Sequence, residues 1–155
     1  MEQYIQPFVQ VSKSVFKDLL GCEIVPGRAY FIKKEAFLDW DISGVIALTG
    51  EVKGLVAISM KSDIAAKIAG RLSPIAGAGD LPEVDIVDAI GEIVNIIAGN
   101  VKKNLEDMFR IIISLPTVVR GKAHYIVIPE ERTRLLCIPF TIFETGTFWL
   151  SLTID

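Results

Sequence analysis

A chain of 155 residues with a formal charge of −3, 51% hydrophobic and 23% charged side chains, is long enough for one domain with its own core and too apolar to stay disordered. Its 16 basic and 19 acidic residues are scattered rather than run together, so no electrostatic footprint for nucleic acid is present. No uninterrupted apolar run reaches the roughly 18 residues that a membrane span needs, and MEQYIQPFVQVSKSVF lacks a basic stretch followed by an apolar one, so a cytoplasmic protein is expected.

In chain order, residues of about 6 to 20 set Phe8, Val11, Val15, Leu19 and Leu20 at helical spacing, with Pro7 in the first turn and Gly21 as a stop. A Gly/Pro-bearing connector follows. SGVIALTGEVKGLVAISM then reads as an antiparallel hairpin over about residues 43 to 60, turning around TGE. KSDIAAKIAGRLSP predicts a short helix with Ser62 or Asp63 as N-cap and Pro74 beyond its end, and IAGAGDLP a flexible loop. The longest helix is expected from about Pro82 to about Asp107, where MFRIIISLP turns strand-like. The remaining third predicts three further strands, with ETG as the tight connection of the last hairpin. Helices with a mostly antiparallel sheet predict an α+β fold, a two-layer α/β sandwich. A strand followed at once by a helix also suggests a repeating hairpin-plus-helix unit, although the sequence shows no clean repeat.

Cys22 and Cys137 lie far apart and in no CxxC arrangement, which suggests two small hydrophobes rather than a disulfide or a zinc site. His124 is the only histidine, so neither a multi-histidine metal site nor a histidine-based triad is expected, and most familiar hydrolase chemistry falls away.

The long helix carries the chemistry. At about 100° per residue, Ile86, Val87, Ile90, Ile93, Val94, Ile97, Val101, Leu105 and Met108 form the core arc. Asp85, Asp88, Glu92, Asn95, Gly99, Lys102, Lys103 and Glu106 form the opposite one. Such a stripe is most often a solvated face. Here, however, Asn and Gly are poor choices in an exposed helix interior, Gly costing about 1 kcal/mol relative to Ala. Asp85, Asp88 and Glu92 also place like charges at repelling spacing. A docked partner supplies a reason. Gly99 lets another backbone approach, Glu92 offers a negative charge to a cation, and the Asn95 carboxamide has the donor and acceptor to orient a water for attack on a phosphoryl group. The Glu-x-x-Asn spacing occurs once in the chain.

DAIGEIVNIIAGNVKKNL resembles the signature helix of the CheC/CheX family of chemotaxis phosphatases, in which an Asp or Ser, a Glu and an Asn share one helix and a proline follows some twenty residues later. Asp88, Glu92, Asn95 and Pro116 match in type, order and approximate spacing, and the hairpin, the short helix and CIPFTIFETGTFWLSLTI extend the resemblance over most of the chain. The resemblance implies one CheC-like domain over residues 1–155 and a phosphatase acting on a phosphorylated CheY-type response regulator. By the same resemblance Asn95 positions the attacking water, Glu92 pairs with the regulator's lysine, Asp88 supports them, and Pro116 shapes a bordering loop. No metal or cofactor of its own is implied, because the Mg²⁺ belongs to the regulator. The first helix lacks a Glu-Asn pair, so one site per chain is expected, as in CheX-type relatives, along with a homodimer that covers apolar sheet edges. The rival expectation is a non-catalytic module docking on a response regulator or on the flagellar switch. Arg110, Arg120 and Lys122 are weak candidates for positive charge beside Pro116.

Overall fold

The computed structural model describes residues 2–32, 39–73, 81–124 and 134–154. Its helices are α1 (Glu2–Leu20), α2 (Ser62–Leu72) and α3 (Glu83–Leu105). The strands are β1 (Ile24–Pro26), β2 (Tyr30–Phe31), β3 (Ile42–Gly50), β4 (Gly54–Met60), β5 (Ile111–Ile113), β6 (Thr117–Arg120), β7 (Leu136–Ile142) and β8 (Gly146–Ile154). All pairings are antiparallel, in the order β1-β7-β8-β4-β3-β5, with β2 also on β7 and β6 also on β3.

Period-two alternation decides what the sheet shows to the helices. Ile42 and Ile46 of β3, Val56, Ile58 and Met60 of β4, and Phe148, Leu150 and Leu152 of β8 all enter the main core under α1 and α3. Phe148 stacks on Phe16 of α1 at 4.7 Å and on Phe140 of β7 at 5.1 Å between ring centroids. Phe148 is thus core, whereas half-buried Trp149 points to the other face and leans on Trp40. That second face also buries Ser43, Ser59 and Ser151. His124 joins them: its Nε2 lies 2.6 Å from Ser43 Oγ, which lies 2.6 Å from Ser59 Oγ. The Gly121 carbonyl, 2.7 Å from Nδ1, can only accept, so Nδ1 donates to it while Nε2 faces the Ser43 hydroxyl. A carbonyl where a triad has a carboxylate, and a fully buried serine, make this hydroxyl satisfaction rather than hydrolysis. Cys22 and Cys137 are both buried and unpaired.

Several boundaries differ from expectation, each for a local reason. α1 starts at Glu2, so Pro7 sits inside it and forfeits only the bond to the Gln3 carbonyl. α2 begins at Ser62 without a side-chain cap of its own. Asp41 Oδ2, from the approach to β3, accepts instead from the Ser62 N–H at 3.0 Å and its hydroxyl at 2.8 Å. Pro82 is the N-cap residue of α3 rather than part of its first turn, and its carbonyl accepts from the Asp85 and Ile86 N–H groups. The helix ends at Leu105, so Met108 falls in the following turn and is 63% exposed rather than core. Leu19 is likewise exposed, in the last turn of α1. The connector after α1 contains the short strands β1 and β2, the strand-like run MFRIIISLP holds the short strand β5, and β6 opens the stretch that follows it. The loop expected at IAGAGDLP and the strand-like run after His124 lie mostly outside the described residues.

The sheet order is a palindrome. Exchanging α1, β1, β2, β3 and β4 for α3, β5, β6, β7 and β8 maps it onto itself, leaving α2 as the element without a counterpart. The repeat suspected from the sequence is therefore present, but its unit begins with the helix rather than the hairpin. α3 can lie against its strand because β3 carries Gly44. A Cβ there would stand 3.1 Å from the Ile90 carbonyl oxygen and from methyl groups of Ile90 and Val94.

Candidate functional site

Ile90, Ile93, Val94, Ile97 and Val101 are all buried and anchor α3 by one face, which fixes where its opposite face points. Asp88, Glu92 and Asn95 stand exposed there, Glu92 and Asn95 three residues apart and hence about 4.5 Å apart along the axis. Among the described residues, no hydrogen bond or ion pair engages either side chain. Glu83 and Asp85 in the first turn and Lys102 and Lys103 in the last suit the helix dipole, which offsets the like-charge spacing.

Gly99 shares this face, partly exposed, and a Cβ there would meet nothing within 4 Å. Internal packing therefore does not require glycine at that position. Gly91 is different. A Cβ there would come within 3.3 Å of Val118 and 3.8 Å of the Pro116 ring, so the missing side chain brings the β5–β6 connection against the helix beside Glu92. Asp88, Glu92, Asn95 and Pro116 are thus brought together, while Gly99 lies about 10 Å along the axis from Glu92, towards the far end.

The connection beside Pro116 is a β-bulge. Ile113 stands opposite Leu48 and Thr117 opposite Val45, so the edge chain advances four residues while β3 advances three. Ser114 holds it. Its N–H donates to the Ala47 carbonyl at 3.0 Å, and its hydroxyl accepts from the Ala47 N–H and donates to the Leu115 carbonyl, each at 2.9 Å. Leu115 projects from the bulge with 87% of its surface exposed, the highest value among the large hydrophobic residues described. Sequence reasoning found Pro116 but not Gly91, Ser114 or Leu115. The extra residue is invisible without knowing that both strands pair with β3. Arg120 does not serve this site, since its guanidinium binds Glu83 and reaches Ser62 Oγ at 3.5 Å. The Arg110 backbone N–H is held by Glu51.

Among the described residues, no group of three His, Cys, Asp or Glu side chains could hold a metal ion, and no helix is long and apolar enough to cross a membrane. What α3 presents is a carboxylate and a carboxamide on a rigid support, exposed and open to another macromolecule.

The family model described as chemotaxis phosphatase CheX matches residues 42–141, a span that contains α3, the bulge and most of β7. No curated protein sequence matches the chain. Among solved structures, the chemotaxis protein CheX of Desulfovibrio desulfuricans superposes with a TM-score of 0.85 at 24% identity, covering 99% of each chain. CheX of Vibrio vulnificus gives 0.84 at 26% identity, again covering 99% of each chain. A CheX–CheY–BeF₃–Mg²⁺ complex from Borrelia burgdorferi gives 0.77 at 24% identity, covering 98% of this chain and 97% of that one.

Proposed function

This chain belongs to the CheX family of chemotaxis phosphatases, and from that premise we propose that it removes the phosphoryl group from the aspartate of a CheY-type response regulator. The observation that carries the proposal is the pair Glu92 and Asn95, one turn apart, exposed and without partners among the described residues, on a helix whose opposite face is core. The CheX–CheY complex of a relative makes a CheY-type partner the natural choice.

In the reaction, α3 lies across the regulator's phosphorylation pocket. The Asn95 carboxamide enters it and holds a water in line with the phosphorus–oxygen bond to the aspartate. The water oxygen bonds to phosphorus, that bond breaks, and the aspartate carboxylate and inorganic phosphate are released. Asn95 has no basicity to offer, so its contribution is orientation. Glu92 pairs with a regulator lysine and fixes the complex in register, and Asp88 adds negative charge one turn away. Pro116, against Gly91, shapes the connection that borders the site. Mg²⁺ comes with the regulator, as in the relative's complex, and neutralises phosphoryl charge there.

The whole chain works as one unit in the cytoplasm, and two copies associate through a sheet edge. The exposed Val25, Tyr30 and Phe31 of β1 and β2 favour covering that edge. The test is the decay of phosphate on a purified CheY-type regulator with Mg²⁺, with and without the chain. Decay should accelerate, and Glu92→Ala should demand a regulator concentration higher by roughly tenfold to reach the same rate. Tight binding without any acceleration would instead make this a docking module.

A further inference from the structure

The bulge that presents Leu115 has a twin, and the comparison shows what is particular about it. In the other half of the palindrome, Pro26 stands opposite Phe140 and Tyr30 opposite Cys137, again four residues against three. The Gly27 N–H donates to the Pro139 carbonyl at 2.7 Å, as the Ser114 N–H donates to Ala47. Counting from the bulge start places Arg28 where Leu115 stands and Ala29 where Pro116 stands. The bulge therefore belongs to the fold in both halves, and it does not require leucine at its tip.

Only the half whose helix carries Glu92 and Asn95 has a large apolar residue there. That leucine is 87% exposed. It is also held more firmly than its counterpart, because the Ser114 hydroxyl ties both the Ala47 N–H and the Leu115 carbonyl, whereas position 27 is glycine. A fixed, solvent-exposed leucine beside a polar pair, Glu92 and Asn95, without partners among the described residues has the form of an interface anchor, in which a rigid apolar residue loses its hydration only on docking. Val84, exposed on the first turn of α3 and one turn before Asp88, extends the apolar border.

We propose that Leu115 is a docking anchor that sets the affinity for the phosphorylated response regulator, packing on the regulator surface beside its phosphorylation pocket while Asn95 acts inside it. This inference rests on the function proposed above and concerns binding rather than the hydrolytic step. Leu115 touches no reacting atom, so it is a specificity-determining contact and not a catalytic residue.

The test uses the full chain and a purified CheY-type regulator loaded with beryllofluoride and Mg²⁺ for binding, or phosphorylated for turnover. Leu115→Ala should weaken binding roughly tenfold, the expected effect of removing most of a buried leucine, and leave the rate at saturating regulator unchanged. Leu115→Met should restore most of the affinity. Phe143→Ala, at the exposed β7–β8 turn, should change neither quantity. Unchanged affinity in Leu115→Ala, or an intact affinity with a lost saturating rate, would overturn the anchor. If the natural chain speeds phosphate loss while Leu115→Ala binds normally, the anchor alone fails. If the natural chain binds without speeding phosphate loss, the phosphatase reading alone fails, and the binding comparison still decides the anchor.

Discussion

In the proposed reaction the choice of an amide at position 95 is chemically restrictive. Aspartate there would repel the phosphoryl oxygens, and alanine would hold no water, whereas a carboxamide offers a donor and an acceptor without charge. Glu92 does the opposite task with a full charge, which suits a cationic partner and needs no fixed water. At the same scale Tyr30, 43% exposed, illustrates how even partial burial tunes a side chain away from the site. Partial burial and the neighbouring Cys137 thiol push its phenol up to about 12, and burial raises the Cys137 thiol as well. A phenol whose folded pKa lies above its unfolded value favours the neutral form. Its contribution to stability is therefore complete below about pH 10 and disappears as pH rises through about 12. Following unfolding across that alkaline window should show a steeper loss in the natural chain than in Tyr30→Phe. Equal slopes would mean that the phenol is not perturbed in the folded protein.

At the scale of the element, α3 is a helix held by one face and offered by the other. Gly99 makes the distinction measurable, since no neighbour occupies the space a Cβ would fill. Gly99→Ala should raise stability by about 0.5–1 kcal/mol, read as a higher unfolding midpoint, because alanine is the better helix former. It should at the same time weaken regulator binding, if the open space is there for a partner's backbone. Stabilisation without any change in binding would make Gly99 an incidental residue. Much of this helix was legible in the sequence. The 3.6-residue period separates Ile90, Ile93, Val94 and Ile97 from Asp88, Glu92 and Asn95 without any structure. What was not legible depends on contacts between distant segments. Asp41 caps α2 from 21 residues upstream, which no local signature at Ser62 or Asp63 reveals. Met108 continues the periodic pattern past the end of its helix, because periodicity records spacing and not where the hydrogen-bond ladder stops. The bulge at Ser114–Pro116 emerges only from the pairing of β5 and β6 with one strand.

At the scale of the molecule, the palindromic sheet gives two equivalent helix positions, and only α3 carries the Glu92–Asn95 pair. The α+β architecture with its antiparallel sheet was readable from alternation and turn residues, but strand order was not, since β1 pairs with β7 across more than 100 residues. The symmetry bears directly on stoichiometry. α1 has no Glu-x-x-Asn facing solvent, and its bulge carries Arg28 and Ala29. Calorimetric titration with a beryllofluoride-activated regulator should therefore saturate at one regulator per chain, whatever the number of chains in the assembly. Two per chain would mean that α1 retains a site of its own.

In the proposed reaction Asn95 holds the attacking water in a complex assembled by its neighbours. The decisive measurement is the rate of phosphate loss from a CheY-type regulator saturated with Asn95→Ala, alongside binding of the same variant to the beryllofluoride form. The account predicts binding close to that of the natural chain and decay no faster than the regulator achieves alone. Decay at the natural chain's rate with Asn95→Ala bound would contradict it.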